Sequence, residues 1–274
     1  MPDSMPDYLR AVLTSRVYEV AIESPLTEAR RLSRRIGHRV LLKREDLQPV
    51  FSFKLRGAYN RIASLSQGAA SRGVICASAG NHAQGVALAA RRRGIKAVIV
   101  MPVTTPQIKV QAVIDLGGEA VLQGDDYDAA YEHALTLARE RELVFVHPFD
   151  DPDVIAGQGT IAVEIMRQTG GEIDAIFVPV GGGGLIAGIA VYTKYLHPRV
   201  KVIGVDPEGS ILARPGDIHS YKVEGIGYDF IPDVLDGKLV GGDEARAQAQ
   251  KTGRFDYDAP LPGLEVVDRH TLRI

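Results

Sequence analysis

Short apolar runs alternate with segments of helical periodicity along most of the chain. The strand-like runs are residues 40–42, 74–77, 97–101, 120–122, 144–146, 175–180 and 200–205. The helix-like segments are residues 26–36, 54–64, 82–93, 108–116, 128–142, 159–168 and 185–196. Continuous apolar strands that alternate with helices are typical of parallel sheets covered by helices on both faces. The pattern therefore predicts an α/β fold: two lobes with parallel or mostly parallel sheets flanked by helices, and a cleft between them.

The pattern weakens after Asp206. Residues 207–221 are predicted to be loop, residues 244–250 one short helix, and residues 264–267 one strand. The clearest organisation lies before this point, and the cleft between the lobes is the place where we expect a ligand.

The composition excludes several classes of protein. With 32 basic and 34 acidic residues the net charge is -2, so we expect no nucleic-acid partner and no acidic membrane surface. The single cysteine, Cys76, precludes an internal disulfide and indicates a reducing compartment. No segment approaches the roughly 20 apolar residues of a membrane span, and the histidines form no metal motif. We therefore expect a cytoplasmic protein with no membrane association and no metal.

Four consecutive glycines, at positions 181–184, join a predicted strand to a predicted helix. The loop consists of Gly181, Gly182, Gly183, Gly184 and Leu185. Glycines let backbone amides converge on a ligand at a helix N-terminus, whose partial positive charge favours an anion. A phosphate group is the expected occupant, and a tight packing turn is the alternative. Residues 182–187 also match the dinucleotide pattern G-x-G-x-x-A, with Asp206 near the position of a ribose-binding acid, so a nicotinamide cofactor stays open on these residues alone.

Lys54 lies between Phe53 and Leu55 near the start of a predicted helix. Apolar neighbours disfavour the charged form of an amine and leave it nucleophilic. The ordinary alternative is a lysine whose amine extends past its apolar neighbours into water. Lys54 is thus a candidate nucleophile whose role depends on what lies near it.

A third feature joins the predicted strand of residues 74–77 to the next helix. Small side chains with hydroxyl and amide donors at a helix start suit a carboxylate. They are Ser78, Ala79, Gly80, Asn81 and His82. The alternatives are that Asn81 is only the helix N-cap and that His82 is a surface residue of the helix. Together, an amine, a phosphate loop and a carboxylate-binding turn are what pyridoxal phosphate and an amino-acid substrate require.

Longer motifs around these three features resemble the fold type II family of pyridoxal-phosphate enzymes, and within it threonine dehydratase. They include SFKLRGAY at residues 52–59 and SAGNHAQG at residues 78–85. The other matching stretches are residues 8–13, 42–50, 147–150, 156–160 and 181–184. The likeness covers about residues 8–205. It implies a pyridoxal 5'-phosphate enzyme that deaminates L-threonine, and L-serine, to a 2-oxo acid and ammonia by α,β-elimination.

The resemblance also implies a role for each feature. Lys54 is the catalytic Schiff-base lysine, and Asn81 contacts the ring hydroxyl of the cofactor. The phosphate is held by Gly181, Gly182, Gly183, Gly184 and Leu185, and the substrate carboxylate by Ser78, Ala79, Gly80, Asn81 and His82. Ala79 stands where related serine racemases have a second serine, which favours elimination over racemisation. We expect a large cofactor-binding domain of residues 1–49 and 149–274, a small substrate-binding domain of residues 50–148, and a homo-oligomer.

Residues 201–237 resemble another member of the superfamily, cystathionine β-synthase, in the stretches 201–212 and 223–232. A β-replacement enzyme of that type, or one like cysteine synthase, is the alternative function. Both families place a later serine or threonine, in a Gly/Ser-rich turn, against the pyridine nitrogen of the cofactor. Residues 243–274 do not reproduce that turn, and Thr252 is the nearest candidate. A further alternative is therefore a cofactor-binding protein with impaired catalysis.

Overall fold

The computed structural model describes residues 7–212, 218–228, 232, 234–235, 265–268 and 271–273. The helices within them are α1 (Tyr8–Leu13), α2 (Arg30–Ile36), α3 (Lys54–Ala63), α4 (Gln67–Arg72), α5 (Asn81–Arg93), α6 (Gln107–Asp115), α7 (Tyr127–Glu140), α8 (Pro152–Thr169) and α9 (Gly184–Leu196). The strands are β1 (Leu26–Glu28), β2 (Leu41–Lys43), β3 (Val74–Ala77), β4 (Ala97–Met101), β5 (Glu119–Leu122), β6 (Val144–Phe145), β7 (Ala175–Pro179), β8 (Lys201–Val205), β9 (Glu265–Asp268) and β10 (Thr271–Arg273). Strands and helices alternate from β3 to β8, which confirms the predicted α/β class.

The first sheet has the strand order β5-β4-β3-β6, and all of its strands are parallel. Every residue of β3 and β4 is buried, which explains why both strands are continuous apolar runs. Helices α3 and α5 pack on one face of the sheet and α7 packs on the other. The sheet is therefore covered on both sides, as the pattern predicts.

The second sheet has the order β7-β8-β10-β9 and is mixed. Strands β7 and β8 are parallel, whereas β10 pairs antiparallel with both β8 and β9. Helices α1, α8 and α9 form one hydrophobic core with β7 and β8. Strand β9 matches the strand predicted at residues 264–267 to within one residue, while the sequence pattern does not predict β10.

Two predicted helices begin more than two residues away from their predicted starts. The helix expected from residue 26 is wrong in its first turn, because Leu26–Glu28 is a strand that pairs antiparallel with β2. The helix expected from residue 159 begins at Pro152 instead, where the carboxylate of Asp151 accepts hydrogen bonds from the N–H groups of Asp153 and Val154. The helix predicted at residues 244–250 lies outside the described residues.

Candidate active site

A cavity of about 280 Å³ lies at the carboxyl ends of the parallel strands of both sheets. Strand β3 leads into residues 78–82, β6 into residues 147–149, and β7 into residues 181–184. All three segments contribute to its lining, and so does Lys54 at the start of α3. Ligands of α/β proteins commonly bind at this edge of a sheet. The structure thus brings together every residue predicted to bind the cofactor or the substrate carboxylate except Ala79, which does not line the cavity. Thr252, the candidate partner of the pyridine nitrogen, lies outside the described residues.

Lys54 is partly buried beside the cavity. Its Nζ donates a hydrogen bond to the backbone oxygen of Pro148 at 2.9 Å and lies 5.5 Å from the centre of the Phe53 ring. Among the described residues no carboxylate forms an ion pair with this amine. Loss of solvation lowers the pKa of Lys54 to about 8. An appreciable fraction of the amine is therefore uncharged near neutral pH, as a nucleophile requires.

The four glycines occupy a crowded turn between β7 and α9. Gly183 has a φ of +83°, which residues with a side chain rarely adopt, and a Cβ there would lie 2.7 Å from the side chains of Val234 and Leu235. A Cβ on Gly182 or Gly184 would approach Phe149 to 2.1 Å or 2.6 Å. Packing alone therefore accounts for part of the glycine requirement, so the tight-turn alternative holds alongside anion binding.

The same turn ends at an open helix N-terminus. No side chain in the described part of the chain caps α9, which begins at Gly184. The first N–H groups of a helix have no acceptor within it, and its N-terminal partial charge is positive. Gly184, Leu185 and Ile186 begin α9 and line the cavity. A phosphate placed here would meet backbone donors and a favourable potential without any basic side chain.

The structure contradicts both alternative interpretations of the 78–82 loop. Gly80 is the N-cap of α5, so Asn81 is the first residue of the helix and not its cap. Asn81 is exposed, and within the described part of the chain its amide makes no hydrogen bond. His82 is only 4% exposed, which rules out a surface histidine. The Asn81 amide is therefore available to a ligand in the cavity that it lines.

His82 is held in one protonation state. Loss of solvation, aided by the charge of Lys54, lowers its pKa to about 3, so the ring is neutral at physiological pH. Its Nε2 lies 2.9 Å from the backbone oxygen of Val146 and donates to it, because a carbonyl can only accept. The second ring nitrogen, Nδ1, is consequently an acceptor. The imidazole adds no positive charge beside Lys54.

Sequence reasoning overlooked part of the lining. Phe149 packs edge to face on His147, with ring centres 4.6 Å apart, and on Tyr228 at 5.8 Å. Tyr127 lines the cavity from the first turn of α7 and belongs to no motif singled out above. Because it follows the parallel strand β5, the rule that ligands bind at carboxyl ends of strands was the signal that could have found it.

The dinucleotide alternative requires Asp206 beside the ligand. Asp206 is 4% exposed and does not line the cavity. An acid buried elsewhere cannot bind a ribose in this cavity. The glycine loop is therefore better suited to a single phosphate group than to a nicotinamide dinucleotide.

Comparison with known proteins is consistent with this geometry. Residues 18–251 match the family model described as "Pyridoxal-phosphate dependent enzyme". The biosynthetic L-threonine dehydratase of Burkholderia multivorans is 57% identical over 243 residues, which are 88% of this chain and 48% of that protein. The chloroplastic biosynthetic threonine dehydratase of Arabidopsis thaliana is 63% identical over 201 residues, which are 73% of this chain and 34% of that protein. The structure of processed threonine deaminase isoform 2 from Solanum lycopersicum superposes with a TM-score of 0.77 at 51% identity, over 83% of this chain and 69% of that one.

The chain belongs to the pyridoxal-phosphate dependent enzyme family. Relatives at 51 to 63% identity are threonine dehydratases or deaminases by name, which confirms the resemblance inferred from the motifs. The chain spans about a third to a half of the length of the curated relatives just named. Pyridoxal phosphate, the cofactor expected from the sequence, is the cofactor of the family.

The residues present fit that cofactor. A buried amine with a lowered pKa and an uncapped helix N-terminus line the same cavity, and these are the groups that an aldehyde and a phosphate need. The described residues contain no group of three or more His, Cys, Asp or Glu side chains placed to hold a metal ion. Among them we also find no helix that has both the length and the apolar character of a membrane span.

Proposed function

We propose that this chain is a pyridoxal-phosphate-dependent ammonia-lyase that converts L-threonine, and L-serine, to the corresponding 2-oxo acid and ammonia. The observation that supports this most strongly is the convergence of Lys54, the glycine loop and the 78–82 loop on one cavity. The names of the most similar relatives support the same reaction. The activity is proposed because this chain spans only part of those proteins.

Lys54 is the central residue of the proposed reaction. When bound, pyridoxal phosphate supplies an aldehyde that condenses with amines and a conjugated ring that spreads the charge left at Cα by proton removal. Lys54 anchors the cofactor, and its released amine takes the Cα proton of the substrate. An amine with a pKa of about 8 can accept and release protons near neutral pH. The backbone oxygen of Pro148, 2.9 Å from Nζ, orients the amine.

The two helix N-termini divide the remaining binding tasks. The amides of residues 181–185, at the start of α9, bind the phosphate. Asn81 binds the ring hydroxyl, and Ser78, Gly80, Asn81 and His82, which all line the cavity, hold the substrate carboxylate at the start of α5. Ala79, although expected among them, does not line the cavity. Because neither helix has a side-chain cap, both retain backbone donors for a ligand.

The domain division is proposed on the same basis. The whole first sheet falls within residues 50–148, and the second sheet follows residue 149. This supports a small substrate-binding domain of residues 50–148 and a large cofactor-binding domain of residues 1–49 and 149–274. The homo-oligomer and the cytoplasmic location stay predictions.

The experiment is an absorbance spectrum of the purified chain with pyridoxal phosphate, followed by a 2-oxo acid assay with L-threonine. We expect a cofactor band near the visible edge that Lys54→Ala abolishes. Lys96→Ala is the matched control, because Lys96 is exposed and pairs with Glu119 away from the cavity. No band, or a band unchanged in Lys54→Ala, contradicts cofactor attachment. A normal band without 2-oxo acid contradicts the lyase activity and supports the catalytically impaired alternative.

A second candidate function is β-replacement with a thiol. Gly225, Ile226 and Tyr228 line the cavity, and they come from the stretch that resembles cystathionine β-synthase. A segment of that type beside the cofactor favours a second substrate. Supplying L-serine together with a thiol distinguishes the two reactions: the synthase yields a thioether, whereas the lyase yields pyruvate and ammonia whether or not the thiol is present.

A further inference from the structure

Among the described residues four of type Phe or Tyr line the cavity, and three of them lie next to elements already assigned a task. The ring of Phe53 lies 5.5 Å from the Lys54 amine. Phe149 packs against Gly182, and a Cβ on Gly181 would lie 3.6 Å from the ring of Tyr228. Phe149 and Tyr228 therefore belong to the phosphate end of the cavity. The fourth ring, Tyr127, packs on Tyr131 of its own helix.

Tyr127 is held firmly at the start of α7. The carboxylate of Asp126 caps the helix by accepting a hydrogen bond from the Ala129 N–H at 2.9 Å. The Tyr127 ring lies 6.0 Å from that of Tyr131, which in turn packs edge to face on Phe145 at 5.4 Å. This row of rings leads back into the buried face of the first sheet. The position of the Tyr127 ring is therefore set by the fold before any ligand binds.

Tyr127 is partly accessible and lines the cavity. The residue is 43% exposed, and its hydroxyl makes no hydrogen bond within the described part of the chain. Burial is the main cause of its raised pKa, with smaller electrostatic contributions from groups that include Tyr228 and Cys76. Tyr228 lines the cavity and Cys76 lies on β3, directly below the 78–82 loop. Tyr127 therefore lines the cavity together with Tyr228 and the 78–82 loop.

We propose that Tyr127 is the residue that contacts the substrate side chain and limits its size at Cβ. This inference rests on the proposed function. With the cofactor phosphate at residues 181–185, the amine carbon at Lys54 and the carboxylate at residues 78–82, Tyr127 is the aromatic wall left to face the substrate's third substituent. A fixed ring there admits the methyl group of threonine and excludes longer chains.

The test compares L-threonine with β-hydroxynorvaline, which carries one additional methylene on the side chain. For Tyr127→Ala we expect the threonine preference in kcat/KM to fall by roughly tenfold, the usual size of a one-methylene effect in a pocket. Tyr127→Phe retains the ring and should keep the wild-type preference. Tyr195→Ala is the control, because Tyr195 is 71% exposed on α9 and does not line the cavity.

A binding measurement separates this inference from the proposed reaction. Titrating each amino acid against the cofactor absorbance gives an apparent Kd that does not require turnover. A changed Kd ratio in Tyr127→Ala without 2-oxo acid from the wild type supports the inference and contradicts the lyase activity. An unchanged ratio in both Tyr127→Ala and Tyr127→Leu, with the proteins folded by circular dichroism, overturns the inference. The leucine variant serves if the alanine variant does not fold.

Discussion

Lys54 and Arg56 lie two residues apart on α3, and their surroundings are opposite. Within the described residues the Lys54 amine makes one hydrogen bond, to the backbone of Pro148, and it opens onto the cavity. Arg56 is completely buried and donates to Glu45, Glu164, Thr160 and the backbone oxygen of Ile22. Residues that are two positions apart point to nearly opposite sides of an α-helix, because each turn contains about 3.6 residues. One side of α3 thus faces the ligand and the other faces the protein interior.

The different surroundings of Lys54 and Arg56 also shift the pKa values of their side chains in opposite directions. Burial disfavours both charges, but the carboxylates of Glu45 and Glu164 outweigh it and raise the pKa of Arg56. Glu164 also pairs with Lys43 at 2.6 Å and accepts a hydrogen bond from Tyr18 at 2.8 Å. No carboxylate of the described residues compensates Lys54 in this way, and burial lowers its pKa. A buried cation that is paired with carboxylates stabilises the fold, whereas a buried amine without such partners can act as a nucleophile or a base.

Removing Arg56 should produce the largest effect. Arg56→Met leaves Glu45 and Glu164 without their shared partner inside the protein, and breaking a buried ion pair costs about 3–5 kcal/mol of unfolding free energy. Urea denaturation measures the loss. The control is Arg44→Met, since Arg44 pairs with Asp46 on an exposed surface and should have no measurable effect. Equal and small losses in both variants would show that the Arg56 cluster is not structural.

Removing the Lys54 amine should instead increase the unfolding free energy of the cofactor-free protein. Its pKa falls from 10.5 to about 8 in the folded chain, a difference of roughly 3 kcal/mol at most. Well below pH 8 the amine is protonated in both states, so the cofactor-free protein bears the full penalty and Lys54→Met is the more stable. As the pH rises from 8 to 10.5, the folded state releases its proton first, so the wild type gains stability and the difference disappears.

Denaturant titrations of the cofactor-free wild type and Lys54→Met across that pH range measure this difference. Comparing the two proteins at each pH removes the contribution of other groups that titrate there. A difference that stays constant with pH would mean that the amine is solvated in the folded chain. A difference that grows with pH would mean that a favourable partner raises the pKa of the amine there.

The cavity side of α3 is largely predictable from sequence, and the interior side is not. Lys54, the glycine loop and the 78–82 loop each lie at a strand-to-helix junction, and parallel strands bring such junctions to one edge. The partners of Arg56 lie 11 and 108 residues away in the chain, so no local pattern indicates them. The strand Leu26–Glu28 is predicted as helix for a similar reason. It pairs with β2, and because α2 lies between the two strands in the chain, no local pattern indicates this pairing.

The smallest effect should come from a single methyl group on the cavity side. Gly183 and Gly37 both have positive φ, +83° and +73°, so alanine at either position is strained. Nothing lies within 4 Å of a Cβ at Gly37, and Gly37→Ala should cost about 1 kcal/mol from backbone conformation alone. At Gly183 the methyl group would also meet Val234 and Leu235 at 2.7 Å, which brings the expected loss for Gly183→Ala to roughly 2 kcal/mol. Thermal unfolding compares the stabilities of the two variants. Cofactor absorbance should weaken only in Gly183→Ala, because Gly183 belongs to the phosphate loop and Gly37 does not. If both variants lose the same stability and cofactor binding is intact, the loop accommodates the additional methyl group by shifting. The close packing around Gly183 would then make no contribution to phosphate binding.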